Sequence, residues 1–185
     1  ELAIKRMFDF LIALTFLIAL FPVFAVIALL IKLDSAGSIF YVRERSGFRG
    51  HVFHFYKFRS MTKDADRLKS ALADKNESRG NVIFKIRKDP RITCIGRFLR
   101  KYSFDELPQL LNVFKGDMSL VGPRPFPTEE SRKFEHNQME RLAVRPGITG
   151  LAQIKGRSDL SFYRWVKWDL WYVNNWSFGL DFLIL

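Results

Sequence analysis

The sequence predicts an α+β fold, a small mixed domain of short antiparallel strands and several helices mounted on an N-terminal membrane segment. Three observations carry this. Residues 10–31 run for 22 positions without a charge, long enough to enter a bilayer. Residues 39–45 and 51–59 read as two strands around a turn holding Gly47 and Gly50. Beyond residue 94, apolar stripes at helical spacing alternate with proline and glycine breaks. At 185 residues the chain builds one real core and is short for two.

Lys and Arg exceed Asp and Glu by 30 − 19 = 11, and the pI is near 10.0. That excess calls for an anionic partner: nucleic acid, anionic lipid or a phosphate-bearing substrate. The long apolar run and the lack of any zinc-finger, homeodomain or RNP pattern argue against nucleic acid. Cys94 is the single cysteine, so no internal disulfide forms and no Cys/His cluster suggests zinc. Glu1 opens the chain without a methionine and the last residues are apolar, which predicts flanking sequence at the ends.

The uncharged run is about 33 Å long as a helix, and it has no small-residue cleavage site of a signal peptide. Length alone reads as an ordinary spanning helix. Pro22, which lacks the N–H for the carbonyl of Ile18, predicts a kink or break instead. Basic residues stand on both flanks, Lys5 and Arg6 before and Lys32 after, whereas a spanning helix keeps its basic flank on one side. A re-entrant helix over residues 1–33, with residues 34–185 as a cytoplasm-facing domain, satisfies both observations.

In the body, period two puts Phe53, Phe55, Lys57 and Arg59 on one strand face. Thr62 is placed to cap a helix through Leu68 and Leu72, residues 74–80 read as a polar loop, 82–86 as a short strand and 95–101 as a short basic helix. Ser103-x-x-Glu106 has the capping-box pattern, followed by an apolar stripe of Leu107, Leu110, Leu111 and Phe114 and a stop at Gly116. Pro123 and Pro125 make residues 121–125 a stiff extended loop. A polar helix over 129–142, a turn over 145–150, a strand over 151–154 and a helix over 160–174 complete the prediction. The aromatic residues of that last helix, with Trp176, read either as an interfacial anchor or as an aromatic core.

Asp105-Glu106 is the centre of chemical interest. On its own the pair completes a cap and suits a helix dipole. Its neighbours add another reading: Arg97, Arg100 and Lys101 lie just upstream, Lys57 and Arg59 share a strand face, and Arg124 is held between prolines. Cations gathered around a carboxylate pair suit phosphoryl transfer. One carboxylate of the pair can bind Mg²⁺ together with substrate phosphates, and the other can attack phosphorus, with the cations absorbing the charge. Ser103 has no histidine beside it, and His51, His54 and His136 form no metal spacing.

The runs 5–9 (KRMFD), 56–61 (YKFRSM), 89–93 (DPRIT), 103–109 (SFDELPQ), 112–125 (NVFKGDMSLVGPRP) and 145–150 (RPGITG) resemble signatures of the bacterial sugar transferases. These are the monotopic polyprenyl-phosphate phosphoglycosyl transferases that begin O-antigen, capsule and exopolysaccharide synthesis. The resemblance implies a ping-pong transfer of a hexose phosphate from a UDP-sugar to polyprenyl phosphate at the inner membrane's cytoplasmic face. Asp105 is then the nucleophile and Glu106 the Mg²⁺-binding acid. It also implies phosphate or donor contacts from Lys57, Arg100 and Arg124, a supporting role for Asp169, and the break of a re-entrant helix at Pro22. Phe104 stands where leucine is usual, and Phe21 where serine is common. The oligomeric state is open between monomer and homodimer. A non-catalytic module that binds anionic lipid through its basic face is the alternative, and UMP release from a UDP-sugar separates the two.

Overall fold

Helix α1 (Leu2–Ala19) and helix α2 (Phe21–Asp34) meet at Leu20 with a bend of 61°. The structure is a computed structural model and describes residues 2–72, 86, 88–156 and 160–185. Pro22 lies in the first turn of α2, where its missing N–H has no helical partner to lose. The proline therefore starts a second helix rather than interrupting one. Among the described residues no single helix is long and apolar enough to cross a membrane, but the bent pair meets the length and composition of a broken or re-entrant span. Ala13, Ile27 and Ile31 face inward, while Leu11, Phe16, Ile18, Phe21, Val26 and Leu33 are exposed.

Strands β1 (Phe40–Ser46) and β2 (Val52–Phe58) form an antiparallel hairpin in the register Phe40 opposite Phe58 and Ser46 opposite Val52. Its turn closes through Gly47 N–H donating to the His51 carbonyl at 2.8 Å, with Arg49 at φ 52° and Gly50 at φ 79°. The predicted helix after Thr62 shrinks to α3 (Arg67–Ala71). The loop predicted over 74–80 lies outside the described residues, as does nearly all of the strand predicted over 82–86. Helix α4 (Cys94–Lys101) begins where Thr93 Oγ1 accepts the Gly96 N–H, a normal N-cap.

The capping box predicted at Ser103 does not form. Ser103 takes a left-handed conformation (φ 59°, ψ 19°) and its side chain does not cap. Asp105 and Glu106 ride on a tight turn over 104–106, and helix α5 (Gln109–Lys115) starts only after Pro108. Gly116 at φ 95° ends it as predicted.

Strand β3 (Ser119–Val121) pairs in parallel with β4 (Gly147–Thr149), so the sheets are not all antiparallel. Their junction requires glycine: a Cβ on Gly122 would stand 2.4 Å from the Arg145 carbonyl oxygen, and one on Gly147 2.1 Å from the Gly122 nitrogen. The polar helix predicted over 129–142 is instead α6 (Thr128–Ser131), α7 (His136–Met139) and a tight turn over 140–143. Residues 151–154, predicted as strand, form the single turn α8 (Leu151–Ile154). Helix α9 (Phe162–Asn174) and helix α10 (Phe178–Ile184) begin at Ser161 and Ser177, whose hydroxyls accept the N–H three residues on.

Trp165 and Tyr172 are buried and Trp168 packs on the same clusters, so most of the α9 aromatics make core. Tyr163 and Trp171 remain exposed. A further cluster joins Ala13 of α1 to Phe53 and Phe55 of β2 and to Leu110, Val113 and Met118. That cluster lays β2 across α5 and brings Lys57 over the acidic turn.

Candidate active site

The site grows from β2, the 104–106 turn and the loop after β3. Asn112 on α5, fully buried, fixes the first of these. Its Oδ1 accepts the Tyr56 N–H at 3.1 Å and its Nδ2 donates to the His54 carbonyl at 2.6 Å. One amide side chain thereby continues the ladder of β2 and holds the adjacent Lys57 in place. The Lys57 ammonium donates to Glu106 Oε1 at 2.9 Å and stands 3.6 Å from Asp105 Oδ2. Arg124 reaches the same carboxylate with a fork, Nη2 to Oε1 at 2.7 Å and Nη1 to Oε2 at 3.1 Å, the geometry in which guanidinium binds carboxylate best.

The two acids are thus differently engaged. Glu106 has both oxygens in charge-assisted hydrogen bonds. Burial alone would push its carboxyl up, but the charges of Arg124 and Lys57, and their hydrogen bonds, outweigh it. They hold Glu106 well below the usual carboxylate range. Asp105 is 6 % exposed, and among the described residues Lys57 at 3.6 Å is its ion-pair neighbour. A carboxylate held this loosely keeps lone pairs for another electrophile.

Behind Arg124 lies a layer of which the sequence pointed only to Asp169, not to Arg141. Arg141 Nη2 donates to the Arg124 carbonyl at 2.7 Å and to Asp169 Oδ2 at 2.5 Å, and Nε reaches the same Oδ2 at 3.0 Å. Arg141 and Asp169 are each 1 % exposed. Asp169 thus supports the site through Arg141 and the Arg124 backbone, without facing the acidic pair. Arg45 is the second omission. It donates to the Pro125 carbonyl at 2.7 Å and lies over the Phe55 ring at 4.8 Å. Burial, with the neighbouring Arg124 charge, pushes Arg45 down to about 10, still cationic at neutral pH.

Of the other predicted residues, Arg59 is not brought to the acids. Strand β2 ends at Phe58, and the Arg59 guanidinium turns onto the carbonyls of Ile31, Ser35 and Ala36. It caps the C-terminus of α2, where a cation suits the helix dipole. Arg97 is exposed on α4. Arg100 donates Nε to Ser60 Oγ at 2.8 Å and lines, with Lys57, Arg43, Arg45 and Arg59, a cavity of about 640 Å³ between the hairpin and α6. That volume is within the range of small-molecule sites.

Among the described residues no group of three or more His, Cys, Asp or Glu gathers to hold a metal. Asp105 and Glu106 are the carboxylates that could hold Mg²⁺, which commonly uses one or two carboxylates with substrate phosphates and water, and Glu106 would do so by releasing a hydrogen bond to Lys57 or Arg124.

The family of bacterial sugar transferases matches residues 1–185. The exopolysaccharide production protein ExoY of Sinorhizobium fredii is 44% identical over 184 residues, 98% of this chain and 81% of that protein. The galactosyl transferase CpsE of Streptococcus agalactiae is 49% identical over 156 residues, 84% of this chain and 34% of its own length. The undecaprenyl-phosphate galactose phosphotransferase of Salmonella typhimurium is 42% identical over 185 residues, 98% of this chain and 39% of that one. With the carboxylate pair, its cations and these relatives in view, the chain belongs to the bacterial sugar transferase family and is a transferase.

Proposed function

We propose that this domain transfers a hexose 1-phosphate from a UDP-sugar to polyprenyl phosphate, the first membrane step in making a surface polysaccharide. The observation that carries the reading is the contrast between the two acids: Glu106 tied to Lys57 and Arg124, and Asp105 beside Lys57 without a hydrogen bond to it. An Asp105 carboxylate oxygen bonds to the β-phosphorus of the donor as the bond from that phosphorus to the bridging oxygen breaks. UMP leaves with that oxygen. A phosphate oxygen of the lipid then bonds to the same phosphorus and displaces Asp105, giving the lipid diphosphate-sugar. Lys57 and Arg124, the cations beside the acidic pair, would absorb the charge that the equatorial oxygens gain in both steps. Arg100 and Arg45 line the cavity on the donor side.

Glu106, with Asp105, would hold Mg²⁺ arriving with the diphosphate, and such an ion supplies charge neutralisation at phosphorus. The exposed apolar faces of α1 and α2 favour a lipid surroundings, since water-facing patches of that extent are rare on monomers. Their bend favours a re-entrant seat with both ends on the cytoplasmic side of the inner membrane. That seat keeps the acidic pair near the lipid phosphate.

The test is UMP release from a panel of UDP-sugars, with and without Mg²⁺ and polyprenyl phosphate. Asp105→Asn abolishes release while leaving thermal unfolding unchanged. A variant that still releases UMP at the wild-type rate removes the nucleophile from the account.

A further inference from the structure

A second cavity, of about 750 Å³, lies between the start of α1, the 48–50 turn, the 140–143 turn and α9. It shares no lining residue with the cavity beside Lys57. Lys5, Arg6, Arg49 and Arg145 line it, against the single carboxylate of Asp9. Some of this charge is already used. Lys5 binds Asp181 at 2.5 Å, Arg6 donates to the Val113 and Phe114 carbonyls, and Asp9 accepts the Leu120 N–H. Arg145 spends only Nε, on the Gly116 carbonyl at 2.9 Å. Arg49 and Arg145 stand 5.0 and 5.8 Å from the Phe48 ring centre, and among the described residues neither has an ion-pair partner.

Both guanidinium groups thus line the cavity with donors left over, and a pair of guanidinium groups matches the oxygens of a phosphate.

The surroundings say what carries that phosphate. An apolar groove walled by Phe8, Ile12, Phe178 and Phe182 adjoins the cavity, sharing Lys5, Asp9 and Val121 with it. Trp176 sits at the cavity and Phe182 and Leu183 of α10 are exposed beside the groove, a polar-to-apolar gradient like that of a headgroup zone. None of Asp105, Glu106, Lys57 or Arg124 lines either space, so a phosphate held here is not presented to the acidic pair.

We propose that this cavity binds the headgroup phosphate of one anionic glycerophospholipid, with an acyl chain along the α1–α10 groove. The bound lipid ties α1, α9 and α10 together at headgroup depth.

Native mass spectrometry of the whole chain in non-ionic detergent tests this, with phosphatidylglycerol, phosphatidylcholine, polyprenyl phosphate and inorganic phosphate added separately. One phosphatidylglycerol is retained at least tenfold more tightly than phosphatidylcholine. Arg49→Gln and Arg145→Gln each weaken it fivefold or more, and Arg49→Gln keeps wild-type UMP release, which shows that the fold is intact. Equal retention of phosphatidylcholine, or unchanged retention in both variants, overturns the proposal. Displacement by inorganic phosphate at equal concentration reassigns the site to a free anion, and tighter binding of polyprenyl phosphate reassigns it to the acceptor. Either result overturns the glycerophospholipid. Loss of UMP release in Asp105→Asn with lipid retention intact keeps this proposal separate from the catalytic one.

Discussion

Replacing Arg141 with methionine tests how Arg124 is held. Arg141 and Asp169 are each 1 % exposed and meet through two hydrogen bonds, of 2.5 and 3.0 Å. Removing one partner leaves the Asp169 charge buried and unpaired, which costs about 3–5 kcal/mol. In a domain of this size each kcal/mol lowers the melting temperature by roughly 2–4 °C, so the single variant is expected to melt about 6–20 °C below wild type. The double variant Arg141→Met with Asp169→Leu removes both charges and recovers most of that loss, because apolar replacement of a buried pair is often neutral. It does not recover the bond to the Arg124 carbonyl at 2.7 Å. Turnover of the double variant therefore stays down by roughly tenfold, the equivalent of about 1.4 kcal/mol, with KM for the donor raised. Thermal unfolding followed by tryptophan fluorescence, together with UMP release, reads both effects. A single variant within 2 °C of wild type, or a double variant no more stable than the single, refutes the reasoning (about one half of a kcal/mol is the resolution needed).

Other outcomes follow from the same geometry. Arg124→Gln takes away a charge that depresses Glu106, so the Glu106 carboxyl titrates at higher pH than in the wild type, read by NMR titration of the carboxyl carbon. An unmoved titration would refute the role of Arg124 in holding it down. In the wild type a depressed carboxyl contributes stability that is full above the ordinary glutamate value, about 4.3, and is lost as pH falls through its lower folded value. Melting temperatures measured down to pH 3 therefore fall less steeply in Glu106→Gln than in wild type. Gln109 is fully buried with neither amide atom partnered, and Gln109→Leu is expected to raise stability by about 1–3 kcal/mol, read by denaturant titration. A Cβ on Gly96 would stand 2.0 Å from the Ser60 carbonyl oxygen. Gly96→Ala therefore pushes α4 off the end of β2, costs about 1–3 kcal/mol or more, and lowers turnover by displacing the acidic turn.

The acids and two of their cations were legible because their chemistry is carried by side-chain type and local spacing. Lys57 follows Phe53 and Phe55 on one strand face, and Arg124 is marked by the prolines around it. Arg59 lines the cavity beside Lys57 but does not join Lys57 at the acids, because period two extends only as far as the strand does, and β2 stops at Phe58. The carbonyl end of α2, distant in sequence, claimed its guanidinium. Arg141 and Asn112 look like any polar residue on a helix, and only tertiary packing makes them buried brackets. The parallel pair β3–β4 has three residues in each strand, too few for alternation to register. Its signal lay in glycines, which read equally well as turns. Ser103 was misread for a related reason: capping-box letters occur there, but the backbone turns left-handed and the helix begins after Pro108.

The crossing of residues 122 and 147 has a consequence for how the enzyme tolerates change. Two backbones touch there with no side chain between them, so the joint has no cushion. Any tilt of one strand is delivered whole to the other, and Arg124, two residues along, moves as if bolted to it. Variation is therefore accommodated more readily on the hairpin and α6, which border the cavity beside Lys57, while the strand end that carries Arg124 behaves as a fixed jaw.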